Sequence, residues 1–125
     1  MTEQASLAPF TLFEYEHQPG TFCLMLSDGD MEKVEAVFEA HGAEGNGHGW
    51  GALAESLARS QMPEIATGLR FDSEAGMFAA MSGDRSALER LGATLHAAFH
   101  DPVLLRRLIR EADPVLLPHT DGGTD

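Results

Sequence analysis

One pattern occurs twice in this chain, and it restricts the fold more than any other feature. Sliding the sequence by 56 positions lays Tyr15 on Phe71, Glu16 on Asp72, Gly20 on Gly76, Phe22 on Phe78, Met25 on Met81 and Asp28 on Asp84. After a two-residue gap, Val34 and Val37 fall on Leu88 and Leu91. Each copy begins as a hairpin. "FTLFEYEH" (10–17) and "TFCLMLS" (21–27) are apolar runs flanking the turn signal "QPG", and "LRFDSEAGMFAAMSGD" (69–84) carries its turn near Glu74 to Gly76. Two ββα(α) units predict a single α+β domain: a four-stranded, mainly antiparallel sheet with its helices packed on one face. Two unrelated amphipathic hairpins can also look alike, so the test is whether both lie in one sheet.

Helical periods follow each hairpin. Asp28, Gly29 and Asp30 offer N-cap candidates for a helix whose Met31, Val34, Val37, Phe38 and His41 share one side and whose end is Gly42. Glu32, Glu35 and Glu39 gather on another side. A second helix is expected from Trp50 to Gln61, ended by Met62 and Pro63. Leu88, Leu91, Leu95 and Phe99 mark a third, and Asp101 with Pro102 forms the N-cap and first residue of a last helix closed by Pro114. The domain is thus expected over residues 10–114, between loose tails at 1–9 and 115–125.

The chain has 125 residues, with 20 acidic side chains against 8 basic ones and a net charge of −12. Phosphate backbones are repelled by such a surface, so nucleic acid is not an expected partner, whereas a basic protein is. The imbalance is concentrated: residues 1–58 hold ten acids and the single base Lys33, while 59–125 hold ten acids and seven arginines. Cys23 is the only cysteine, so no internal disulfide is available. The N-terminus lacks a basic segment followed by an apolar one, and no apolar run reaches membrane-spanning length, so the expectation is cytoplasmic, without membrane contact.

Candidate sites compete with structural readings of the same residues. Five glycines between His41 and Ala58 (Gly42, Gly45, Gly47, Gly49, Gly51) surround Trp50. No P-loop or dinucleotide spacing is present and Glu44 repels anions, which disfavours a phosphate cradle. The glycines then either connect two helices or adopt positive φ to fit against a partner, in which case added side chains harm binding more than folding. Trp50 reads first as a core anchor with Leu53, Ala54 and Leu57, and second as a contact residue. Asn46 and His48 lack such an apolar context and read as contacts whose truncation spares the melting temperature, with Asn46 or a neighbouring backbone turn read alternatively as setting up the second helix. His96 and His100 stand at metal-sharing spacing, without the H-E-x-x-H pattern or a nearby thiolate. Cys23 reads as a buried, inert thiol, the serines lack a nucleophile-elbow setting, and the paired carboxylates read as solvated surface. No catalytic residue, metal or cofactor is expected.

Three stretches in order, the G-x-G-x-x-W run (Gly45, Gly47, Trp50) leading into "ALAESL", the hairpin "LRFDSEAGMFAAMS" and the closing "LIREADP", resemble the immunity protein 51 family over roughly residues 10–114. The residue before the tryptophan is usually acidic in that family. Here it is Gly49, which leaves the second helix without a good capping side chain at that position. The resemblance implies a small bacterial protein of a polymorphic toxin system, which binds and neutralises a cognate protein toxin and is not an enzyme. Combined with the charge pattern, the expected partner is a toxin with a basic surface, met by Glu32, Glu35, Glu39, Glu44, Asn46, His48 and Trp50. Monomer and dimer both remain open. Rival readings are a small-ligand or metal-binding regulatory domain, which needs His96 and His100 or the glycine loop to converge on a pocket, and a hydrolase, which needs titratable groups gathered in a cleft.

Overall fold

The computed structural model describes residues 7–112. Strands β1 (Thr11–Glu14), β2 (Phe22–Ser27), β3 (Arg70–Phe71) and β4 (Met77–Ser82) form one antiparallel sheet in the order β1-β2-β4-β3. Both hairpins therefore lie in the same sheet, as the repeated pattern predicts. Their register sharpens the point: Leu24 pairs with Ala80, the residue 56 positions on. In the first turn, Gly20 takes φ of +90° and its N–H donates to Glu14 Oε2 at 2.8 Å. A side chain is strained in that conformation.

Alternation along the strands decides which face is covered. Leu24, Leu26, Phe78 and Ala80 point to the core, where α3 (Gly47–Gln61) and α5 (Arg85–Phe99) pack. The other face carries Phe13, Cys23, Met25, Met77, Ala79 and Met81. Cys23 is buried there; burial pushes its thiol up, opposed by the hydrogen bond that the Tyr15 hydroxyl donates. A thiol held protonated is a poor nucleophile, in line with the inert reading.

The acidic helix expected after Ser27 is broken. It comprises α1 (Asp28–Met31), a 3-10 turn (Glu32–Val34) and α2 (Glu35–Glu39), with Val34 at φ −123°, ψ 10° where the turn meets α2. No side chain caps any of the three pieces. Like charges at i, i+3 and i+4 on Glu32, Glu35 and Glu39 further oppose one continuous helix. Its end is as expected: Gly42 takes φ of +74°, its N–H donates to Glu39 O, and Ala43 N–H reaches back to Phe38 O. This is a Schellman closure, completed by apolar Ala43 beside Phe38, both without exposed surface.

The second helix starts three residues ahead of Trp50. Asn46 Oδ1 accepts from Gly49 N–H at 3.0 Å, so the cap lies in the glycine run itself and α3 spans Gly47–Gln61. Met62 ends it as expected, and Pro63 opens a further short helix, α4 (Pro63–Ala66). Asp84 and Asp101 cap α5 and α6 (Pro102–Glu111). Pro114 and the expected tail at 115–125 lie outside the described residues, as do residues 1–6.

Five aromatic rings from five different parts of the chain meet in the core. Trp50 contacts Phe10, Phe38 and Phe99 at centroid distances of 5.7, 5.4 and 6.2 Å, and Phe10 also meets Phe78. Phe10 belongs to a segment expected to start only there, yet the structure holds the chain from Leu7 onward. Leu7 packs on the core, and the Ala8 carbonyl accepts from His96 Nδ1 at 3.1 Å and His100 Nε2 at 3.0 Å. Residues 7–9 are thus no loose tail, because both histidines clamp them to α5. The imidazoles stack edge-on at 4.6 Å, and His96 is held below the usual imidazole value by burial and then by His100. A base depressed in the folded state favours the unfolded state once protons bind. Stability is therefore expected in full above about pH 6.5 and to fall as pH drops toward the depressed His96 value. Thermal melts from about pH 8 to 5 check this, and His96→Gln should flatten the slope.

Candidate functional site

The acidic residues of the broken helix line a shallow cleft. Asp28 from α1, Glu32 from the 3-10 turn and Glu35 from α2 surround a volume of about 150 Å³, closed on its other side by Gly45, Asn46 and Ala75. Two chain reversals bring these walls together. The Schellman turn at Gly42 returns the chain past Glu35, and the β3–β4 turn supplies Ala75, whose carbonyl accepts from Gly47 N–H at 3.0 Å.

Electrostatics in the cleft are one-sided. Glu35 is pushed above the usual carboxylate range first by Glu39, then by partial desolvation, a hydrogen bond with Glu39, and Glu32. Lys33 is the nearest base in sequence, and it pairs with Asp30 at 3.2 Å instead. Among the described residues no cation forms an ion pair with Glu32, Glu35 or Glu39. Such an arrangement attracts a cationic side chain from outside the molecule.

The seven expected contact residues separate into groups. Glu32, Glu35 and Asn46 share the cleft, and Glu39 couples to it through Glu35. Glu44 is joined to it by accepting from Asn46 Nδ2 at 3.3 Å. His48 stands exposed on the first turn of α3. Trp50 has no exposed surface and serves only by packing beneath. Asp28, a cap candidate by sequence, is instead the first residue of α1 after Ser27, and its place in the cleft depends on the break after Met31, which the helical period does not announce.

Asn46 corrects an expectation. Its side chain is the cap of α3, so Asn46→Ala is expected to lose about 1 kcal/mol and lower Tm by a few degrees. Differential scanning calorimetry of the variant checks this. The glycines correct another. Gly45, Gly47, Gly49 and Gly51 all have ordinary φ; the first three are instead required by close approach of backbone, and Gly51 abuts the Ser73 side chain. A β-carbon on Gly45 would lie 2.9 Å from Glu35 Cα and one on Gly51 2.7 Å from Ser73 Oγ, while those on Gly47 and Gly49 would overlap the carbonyl oxygens of Glu74 and Glu44. Side chains added there therefore strike folding before binding. Gly47 and Gly49 N–H groups are already donated to Ala75 O and Asn46 Oδ1, leaving neither for a phosphate.

The metal and ligand-pocket readings gain no site among the described residues, whereas carboxylates gathered in a cleft, the feature the hydrolase reading needs, are present in Asp28, Glu32 and Glu35. His96 and His100 converge on a backbone carbonyl, and no group of three or more His, Cys, Asp or Glu side chains is arranged for a metal among the described residues. A larger groove, about 280 Å³, lies between α3, α4 and β3; it holds none of the histidines or loop glycines that a ligand site was expected to use. No helix among the described residues is long and apolar enough to cross a membrane.

The model of the protein family described as Immunity protein 51 matches residues 10–114. No curated protein and no solved structure matches the chain.

Proposed function

We propose, since the chain belongs to the immunity protein 51 family, that it binds a cognate protein toxin in the cytoplasm and neutralises it by covering a basic surface. The family description supports an immunity role and a binding activity without catalysis. The observation that carries the choice of surface is the cleft of Asp28, Glu32 and Glu35, with Glu39 beside it and, among the described residues, no cation paired to the three glutamates. Glu44 and His48 extend this surface, and Asn46 shapes it. Trp50 supports it from below.

The mechanism is attraction followed by contact. Unpaired carboxylates draw a cationic groove inward, raising the association rate, and the cleft then receives a Lys or Arg side chain of the toxin. An interface of this kind weakens as salt screens it, because the Debye length shrinks from about 10 Å at 0.1 M to about 3 Å at 1 M.

The test uses a toxin encoded beside the chain's gene. Glu32→Gln/Glu35→Gln/Glu39→Gln is expected to slow association at least about tenfold at low salt, and the difference should vanish near 0.5 M. Protection of toxin-expressing cells should fall in parallel. Rates indifferent to both the substitution and the salt would remove the acidic cleft as the contact surface.

A further inference from the structure

We infer that the acidic ridge of Glu32, Glu35 and Glu39 and the arginine stripe on α6 form one self-complementary surface, through which two copies of this chain pair about a two-fold axis. The inference does not require the toxin, although it uses the same ridge. Four of the eight bases are spent inside the chain: Lys33 on Asp30, Arg59 on Glu55, Arg85 on Glu89 and Arg90 on Glu64. Among the described residues the bases without an ion pair are Arg70, Arg106, Arg107 and Arg110. Three of these four lie on α6.

Their spacing makes a stripe. Val103, Arg107 and Arg110 stand at i, i+4 and i+7, hence on one side of the helix, and all three are exposed. Val103 is 66% exposed and is the one exposed large hydrophobic side chain among the described residues. The opposite side of α6, through Leu105, Leu108 and Ile109, is buried in the same core that takes Phe38 from α2. The two helices contact each other.

Acid and base lie on contacting helices without neutralising each other. Glu35 is raised by Glu39 and Glu32, and no arginine of α6 reaches any of the three. A surface with acid on one half and base on the other matches itself after a half-turn. The α6 stripe of each copy then meets the ridge of the other, and the contact closes at two chains. Val103 supplies apolar area beside these charges.

Net charge modulates the pairing. Each copy carries −12, so two copies repel over distance when salt is very low. At moderate salt that long-range term is screened while the close pairs persist, and at high salt the pairs also weaken. Dimerisation is therefore expected to peak at intermediate ionic strength.

Sedimentation of the full chain tests this without any partner. The average mass should rise with concentration above the 13.5 kDa of one copy, most steeply at intermediate salt. Arg107→Glu/Arg110→Glu should be monomeric, and so should Glu32→Arg/Glu39→Arg. An equal mixture of the two should again form dimers, because acidic stripe meets basic ridge at one contact and basic stripe meets acidic ridge at the other. Circular dichroism establishes folding; if a double variant fails it, Arg107→Glu and Glu39→Arg take the same roles singly. The inference is overturned by a wild-type monomer at every concentration and salt. It is equally overturned by a dimer that neither reversal weakens, as pairing through the Met25 and Met81 face would give, or by a mixture that stays monomeric. Arg107→Glu/Arg110→Glu leaves the ridge intact, so toxin capture by that monomer keeps the two readings separable.

Discussion

Gly47→Ala is expected to unfold the domain, although in a helix this exchange ordinarily gains about 1 kcal/mol. Gly47 is the first residue of α3, where it rests on the β3–β4 turn. A β-carbon there would overlap the backbone carbonyl oxygens of Glu74 and Met77, and backbone cannot swing aside as a flexible side chain can. The helix would have to lift away, breaking the bond from Gly47 N–H to Ala75 O and dislodging Trp50 three residues later. Overpacking alone costs about 1 to 3 kcal/mol, and this contact joins a lost hydrogen bond to a displaced aromatic core. That is a large share of the roughly 5 to 15 kcal/mol holding a domain of ordinary stability. Gly29→Ala is the control: it lies in α1 with nothing within 4 Å of its would-be β-carbon, and it should be neutral or slightly stabilising. Urea melts of the two variants check the contrast. Similar midpoints would mean that α3 does not rest on the hairpin as described.

Residues acting through local rules were legible before any coordinates. The hairpins follow from alternation and turn chemistry, Gly42 from its place at a helix end, and Asp101 with Pro102 from capping preference. The shared sheet was visible because a repeat brings long-range information into a single sequence. What stayed hidden depends on contacts between distant segments. A glycine that admits a neighbouring backbone and a glycine that bends a loop are the same letter, so the run from Gly45 to Gly51 reads as a connection or a partner-fitting loop, while Gly45, Gly47 and Gly49 admit backbone where a β-carbon would clash. Asn46 was readable as setting up the second helix, but the start of that helix at Gly47 was not, since its first turn is composed of residues with poor helix propensity and rests on the hairpin beneath. The acidic residues of the site were readable from charge, but their cleft was not. It requires Asp28 and Ala75, placed by a helix break and by a turn almost fifty residues away.

Trp50→Ala is expected to be the most destabilising truncation of a side chain in the protein. Trp50 has no exposed surface and touches Phe10, Phe38 and Phe99, which come from the N-terminal segment, α2 and α5. Removing the indole opens a cavity bordered by elements that have few other common contacts, and Trp→Ala changes in cores cost about 3 to 5 kcal/mol. The loss should reach the acidic ridge as well, because Phe38 anchors α2 and loses its ring partner. Its loosening should be visible as faster amide exchange across Glu35 to Glu39 even where the rest of the domain survives. Trp50→Phe separates packing from polarity. The indole Nε1 is buried without a hydrogen-bond partner among the described residues, so phenylalanine forfeits volume but no bond and should retain more stability than alanine. If Trp50→Phe proved as damaging as Trp50→Ala, the indole nitrogen would be making a contact that packing does not account for. If Trp50→Ala instead kept its melting temperature while losing toxin protection, Trp50 would belong to the binding surface and not to the core.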